Sequence, residues 1–167
     1  MKTVLLALGS NIDPERHMVE ALDALDALLG IEALSPIYEA DAVGSTETPR
    51  FLNAAVRLTT ERSPSDLKFG VIRPLERRLG RVRTSDRNAP RTIDIDIVAV
   101  EGLVIDEDDL RLPDPEILTR AHLALPLADV APGFRHPTEG LTLDEIAARF
   151  RPERGIARRD DVWWPRF

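Results

Sequence analysis

The chain contains no cysteine, so neither a disulfide framework nor a thiolate-bound metal is available to it. No apolar run approaches the roughly 18 residues of a membrane-spanning helix, and Met1-Lys2 leads straight into an apolar strand rather than a signal peptide. Positive charge is not in excess either. With 22 Lys+Arg against 29 Asp+Glu the formal net charge is −7, which excludes the global basic field that general nucleic-acid binding needs. There is no internal repeat or low-complexity tract. What remains is a single domain over residues 1–167, 43% hydrophobic and 31% charged. That length buries roughly 70% of the unfolded surface without staples. We expect a cytoplasmic protein working on small molecules, not on nucleic acid or membranes, as a monomer or weak homodimer.

Against the acidic background, Arg81, Arg83, Arg87 and Arg91 cluster in a segment punctuated by Gly, Pro and Asn. It leads into Arg91-Thr92-Ile93-Asp94-Ile95-Asp96-Ile97-Val98-Ala99-Val100, whose β-branched residues mark a strand. Ile93, Ile95 and Ile97 share one face; Asp94 and Asp96 share the other, about 7 Å apart. Two carboxylates so placed suit magnesium ions that share their oxygens with phosphates, and arginine forks match phosphate oxygens. A bare Asp-x-Asp on an amphipathic strand is more often a solvated sheet face. The adjoining arginines favour a site for a metal-bound polyphosphate.

Along the chain, Thr3 to Leu8 reads as a buried strand. A helix capped by Asp13, with Pro14 first, runs to Gly30, and His17 reads as an exposed helix residue. Ile31 to Ala40 is a second strand, interrupted by Pro36, and Asp41 to Arg50 is a loop. Phe51 to Thr60 is a third strand, with Leu52, Ala54, Val56 and Leu58 on one face and Phe51, Asn53, Ala55 and Arg57 on the other. Ser63-Pro64-Ser65-Asp66 starts a helix that Pro74 should kink or divide. After the central strand, Leu103-Val104-Ile105 is expected as its hairpin partner, Leu110 to Leu112 as a short strand, Glu116 to Leu125 as a helix and Leu141 to Phe150 as a last helix capped by Thr142. The tail, 151–167, has three open readings: docking on the surface, a dimer contact or an ordered end. This order predicts an α+β, ferredoxin-like split βαβ sandwich with an antiparallel sheet and extra C-terminal strand and helix elements, helices on one face and the aspartates facing a cleft on the other.

Asn88-Ala89-Pro90-Arg91-Thr92-Ile93-Asp94-Ile95-Asp96-Ile97-Val98 resembles the signature of the 6-hydroxymethyl-7,8-dihydropterin pyrophosphokinase family. Leu8-Gly9-Ser10-Asn11, Phe51-Leu52-Asn53-Ala54-Ala55-Val56, Gly80-Arg81-Val82-Arg83 and Pro126-Leu127-Ala128-Asp129-Val130-Ala131-Pro132 agree in order and spacing, so the resemblance covers about Val4 to Pro137. It implies transfer of the terminal diphosphate of ATP to a pterin hydroxymethyl group, with release of AMP. By position, Asp94 and Asp96 would hold two magnesium ions, and Arg81 and Arg91 would join them as catalytic residues. Glu76, Arg83, Arg87, Ile97, Arg111, Asp114 and Arg120 would complete the ATP site. Val43, Gly44, Phe51, Asn53, Asn88 and His122 would receive the pterin.

The resemblance also shows departures. Asp114 stands where the family has His, a poor neighbour for phosphates unless it recruits metal or pairs with Arg111. His122 replaces the second aromatic wall of the pterin site, so acceptor affinity is expected to change between about pH 5.5 and 7.5. Asn88 replaces a loop Trp, and Ala40-Asp41 replaces Thr-Pro. The nucleotide half is retained and the pterin half remodelled. That leaves two alternatives to the plain reaction: a relative acting on a modified pterin, or a catalytically weak nucleotide- or pterin-binding protein.

Overall fold

The computed structural model describes residues 1–42 and 49–166. The expected positions Val43 and Gly44 lie outside the described residues. Five strands form one path, in the order β5 (Asp94–Val100), β1 (Lys2–Ser10), β4 (Phe51–Thr60), β3 (Tyr38–Ala40) and β8 (Ile156–Arg158), all antiparallel to their neighbours. The two-residue strand β2 (Ala33–Leu34) also pairs with β4. Pro36 therefore splits the expected second strand into two short pieces. With β4 lying between β1 and β3, the arrangement is the split βαβ that the element order predicts.

Helices cover both faces of the sheet, not one. Helix α1 (Pro14–Leu29) and the segment Asp66–Arg78 pack on one side with Leu6, Val56 and Ile95. Helices α3 (Ala121–Val130) and α4 (Leu143–Ala147) pack on the other with Leu5, Ala55 and Val98. The sequence reading missed this because β5 changes its inward face partway along. A register shift opposite Leu5/Leu6 leaves Val98 unpaired, so both Val98 and Ala99 turn towards α3.

Several boundaries differ for local reasons. Asp13 does not cap α1 with its side chain; its backbone is left-handed, at φ 43°, and its carboxylate pairs with Arg16 at 2.6 Å. His17 is buried rather than exposed, and its Nδ1–H donates to the Ile12 carbonyl at 2.6 Å. Pro74 marks the division of its helix, as expected. The preceding turns, Asp66–Ile72, are π-helical, and the α-helix α2 (Arg73–Arg78) starts with Pro74 in its first turn, where a missing N–H costs little. A 3₁₀ turn, Pro115–Leu118, replaces the expected start at Glu116, and Arg120, extended at φ −122°, separates it from α3. The helix then continues past Pro126 to Val130, with that proline buried.

The expected hairpin partner of the central strand pairs elsewhere. Strand β6 (Ile105–Glu107) forms its own two-stranded sheet with β7 (Leu110–Leu112). The outer side of β5 is already occupied: Glu76 takes the Ile95 N–H at 2.9 Å, and the Asp114 N–H donates to the Val98 carbonyl at 2.8 Å. The tail docks on the molecule. Strand β8 pairs with β3, and Trp164, 2% exposed, donates its indole N–H to Asp23 at 2.6 Å beside α1.

Candidate active site

Gly9 on β1 lies opposite Asn53 on β4 and Asp94 on β5, so three strands bring these residues into one line. A Cβ at Gly9 would stand 3.6 Å from Asn53 Oδ1 and 3.8 Å from the Phe51 ring; glycine keeps that floor open. Immediately after it, Ser10 and Asn11 clasp the start of the central stretch. The Ser10 hydroxyl donates to the Thr92 carbonyl. Asn11 Oδ1 accepts the Arg91 N–H at 2.7 Å, and the N–H groups of Asn11 and Ile12 both donate to the Arg91 carbonyl, at 3.1 and 3.2 Å. Asn11 Nδ2 also donates to the Pro49 carbonyl at 3.4 Å. This clasp explains why regular pairing of β5 starts at Asp94 rather than Arg91: the backbone of 91–92 bonds to a loop.

Held in this way, Arg91 directs Nη1 to Asp94 Oδ2 at 2.8 Å and Nε to the Ala89 carbonyl at 3.3 Å, with its guanidinium 5.8 Å from the centre of the Phe51 ring. Arg81 Nη2 lies 4.0 Å from the other oxygen of Asp94. Its side chain is 10% exposed, and its Nε is buried without a hydrogen-bond partner. Burial, helped by Arg91 and Arg83, lowers the Arg81 pKa while Asp94 opposes the shift.

Asp96 is open to the cleft at its outer surface but crowded by protein on its other sides. That loss of solvation, and then repulsion from Asp94, Glu76 and Asp114, pushes its carboxyl up to about 7, with Lys68 pulling the other way. Burial also raises Asp114. His122 moves down because burial and Arg120 disfavour its charged form, against the pull of Asp114.

Two cavities meet at Asp96. The first, about 380 Å³, brings together the expected acceptor residues Phe51, Asn53, Asn88 and His122 with Gly9, Arg91 and Asp94. The second, about 390 Å³, contains the expected Arg83, Arg87, Ile97 and Arg111. Arg87, Asp96 and Asp114 line both.

Three expected ligands line neither cavity. Glu76 is 1% exposed and fully engaged inside the protein: Oε1 accepts the Ile95 N–H at 2.9 Å and Oε2 accepts from Arg83 at 2.6 Å. In this structure it stands as a strut under the aspartates, lining neither cavity. Arg81 backs Asp94, and Arg120 sits at the start of α3, its Nε 3.9 Å from Glu116. Asp114 does not pair with Arg111, which bonds Asp106 at 2.9 Å; its Oδ1 instead accepts the Glu116 N–H at 2.8 Å.

The sequence reading missed Lys68, Arg73 and Asp109 in the second cavity and Glu116 in the first; Asp41, expected as a change on the pterin side, does line the first. Lys68 and Arg73 are five residues apart, one turn of a π-helix, so a wheel drawn at 3.6 residues per turn separates them. Lys68 also bonds the Asp109 carbonyl, tying this helix to the loop between β6 and β7.

No cluster of three or more candidate metal ligands occurs among the described residues. The donor set still fits magnesium. Asp94 and Asp96 offer hard oxygens on one cleft face, and this ion commonly completes its shell with water and phosphate oxygens. The upward shift of Asp96 is the behaviour of a carboxylate among other carboxylates, which a cation relieves.

The geometry thus joins an arginine- and aspartate-lined cleft to a pocket walled by Phe51, Asn53 and His122. The family model for 7,8-dihydro-6-hydroxymethylpterin-pyrophosphokinase matches residues 5–132, and the chain belongs to that family of enzymes. The 2-amino-4-hydroxy-6-hydroxymethyldihydropteridine pyrophosphokinase of Pseudomonas aeruginosa is 37% identical over 95% of this chain and 97% of its own length. Its namesake in Methylorubrum extorquens is 39% identical, over 95% and 99%. The folic acid synthesis protein FOL1 of Dictyostelium discoideum is 39% identical over 86% of this chain, a match spanning 22% of that protein. The crystal structure of wild-type Plasmodium falciparum HPPK-DHPS shares the fold, with a TM-score of 0.68 at 15% identity over 89% of this chain and 44% of the other.

Proposed function

We propose that this protein transfers the terminal diphosphate of ATP to the hydroxymethyl group of 6-hydroxymethyl-7,8-dihydropterin, with AMP as the leaving group, as a cytoplasmic step of folate synthesis. The observation that carries this is the shared wall. Arg87, Asp96 and Asp114 line both cavities, so a chain of phosphates in the second and an acceptor hydroxyl in the first would meet beside Asp96. Positioning and charge neutralisation supply most of the rate in phosphoryl transfer.

In this reading Phe51 and His122 hold the pterin ring between them, while Asn53 reads its amide edge. Arg83, Arg87 and Arg111, with Lys68 and Arg73, bind the nucleotide's phosphates. Arg91 and Arg81 fix the position of Asp94. Asp94 and Asp96 would hold magnesium, two ions in our reading, which when bound neutralises the triphosphate and orients it. The acceptor hydroxyl oxygen attacks the β-phosphorus while its proton passes to solvent, and the bond from the β-phosphorus to the α–β bridging oxygen breaks, its electron pair leaving with AMP.

A second reading, a modified pterin as acceptor, is favoured by one observation. Asp41, Asp114 and Glu116 add carboxylates to the acceptor cavity beside His122. A pterin with an additional hydrogen-bond donor would suit that lining.

Purified protein incubated with magnesium, ATP and the hydroxymethyl-dihydropterin should yield one AMP per acceptor consumed. Stoichiometric ADP would place attack at the γ-phosphorus and overturn the diphosphate reading; turnover only with a substituted pterin would select the second acceptor.

A further inference from the structure

The C-terminal segment lies beyond the residues matched by the family model, which end at 132, yet it is built into the sheet. Strand β8 pairs Tyr38 with Arg158, Glu39 with Ala157 and Ala40 with Ile156, and the Arg159 N–H donates to the Ile37 carbonyl at 2.8 Å. The chain then rounds the sheet edge: Ile156 packs with the core under α3, and Val162 and Trp164 pack with the core under α1.

Between these anchors Arg159 forms the first link of an ion-pair relay. Its Nη1 meets Glu39 Oε1 at 2.9 Å; the other oxygen of Glu39 meets Arg50 Nη1 at 3.0 Å, and Arg50 Nε meets Asp41 Oδ1 at 3.0 Å. Asp41 lines the acceptor cavity, and Arg50 immediately precedes Phe51, which lines it too. The relay therefore ties together the two ends of the connection from β3 to β4, which flank the acceptor. None of its members lines the second cavity.

Resting on the acceptor assignment above, we propose that the segment from Ile156 to Trp164 is a positioning strap that sets the acceptor end of the cleft through Arg159, Glu39, Arg50 and Asp41. Exposed ion pairs contribute little stability singly. The strap is held mainly by the backbone ladder and the buried Trp164; Arg159 adds pairs to Glu15 on α1 at 3.3 Å and to Asp161 at 2.7 Å, neither of which lines the acceptor cavity. The relay contributes geometry: each carboxylate oxygen of Glu39 accepts a different arginine, so losing Arg159 frees Glu39 to rotate and Arg50 to leave Asp41.

The test compares wild type with Arg159→Ala, Arg159→Lys and the neighbouring Arg158→Ala, whose guanidinium pairs, among the described residues, with Asp160 at 3.2 Å. Arg159→Ala should raise the acceptor KM by about threefold to tenfold while kcat and the ATP KM stay within about twofold. Arg159→Lys should recover part of the loss, and Arg158→Ala should match wild type. Amide exchange in residues 39–42 and 50–52 should quicken in Arg159→Ala alone. In an active enzyme an unchanged acceptor KM overturns the strap, whatever the exchange rates show. Should the wild type not turn over the pterin, the proposed reaction fails and the exchange comparison decides the strap by itself: equal protection in wild type and Arg159→Ala rejects it.

Discussion

The carboxylate of Glu76 accepts, at 2.9 Å, the amide hydrogen of Ile95, the residue that separates Asp94 from Asp96. A buried side chain on a helix thereby sets the height of both site carboxylates. Glu76→Ala leaves that amide unsatisfied and should cost about 1–3 kcal/mol of stability in denaturant titrations. Turnover should fall more than in Glu76→Gln, whose amide oxygen still accepts from Ile95. Equal activity in the two variants would show that the strut does not position the aspartates.

Asp96 carries the opposite cost. Its carboxyl, open to the cleft on one side, is pushed up to about 7 by lost solvation on its protein side and by Asp94, Glu76 and Asp114, whereas an unfolded Asp titrates near 3.8. Solvent on the open side keeps the stability cost small. Between those values the native state binds more protons than the unfolded state, so this group's contribution falls as pH rises from about 4 to 7 and stays unfavourable above that. In metal-free buffer at pH 8, Asp96→Asn should therefore raise the melting temperature, an advantage that shrinks towards pH 4. The same variant should lose at least about 10²-fold in turnover, because the phosphates' metal loses a ligand. A melting temperature that falls at pH 8 would refute the charge-repulsion account.

His122 behaves differently from what its residue type alone suggests. Burial and Arg120 lower its pKa, so the imidazole stays neutral through the neutral range, and the expected titration window moves down, to below the ordinary value near 6.5. As pH falls through 6.5 the unfolded chain takes up the proton first, and stability from this group is lost. Acceptor binding should accordingly be flat above about pH 6.5 and weaken below it. His122→Phe should bind the plain pterin up to about tenfold more tightly and remove that low-pH weakening. Calorimetric titrations from pH 5 to 8 on both proteins check it; identical profiles would remove His122 from the acceptor wall.

How far the sequence foretold the molecule depended on whether the deciding force was local. The alternation of Ile93, Ile95 and Ile97 against Asp94 and Asp96 was legible because strand period and burial agree there. Family spacing also picked out Phe51, Asn53, Asn88 and His122, which share one cavity, and Arg83 and Arg87, which share the other. The roles of Glu76 and His17 were not legible, since each depends on a long-range or turn carbonyl or amide that only the fold supplies. The π-helical turn defeated a period of 3.6 residues and concealed Lys68 and Arg73. Trp164 gave no local clue to its place, because its partner Asp23 is distant along the chain and belongs to another element.

The tail strand has a colloidal consequence. On one margin of the sheet, Glu76 and Asp114 occupy backbone groups of β5 that would otherwise face outwards; on the other, β8 covers β3 and ends the sheet with three residues, of which Ala157 and Arg158 are exposed. A short, charged border gives an incoming strand little to template upon. Removing the last dozen residues would bare the partners of β3 and leave an open edge that invites aggregation, so the proposed strap also guards the sheet border.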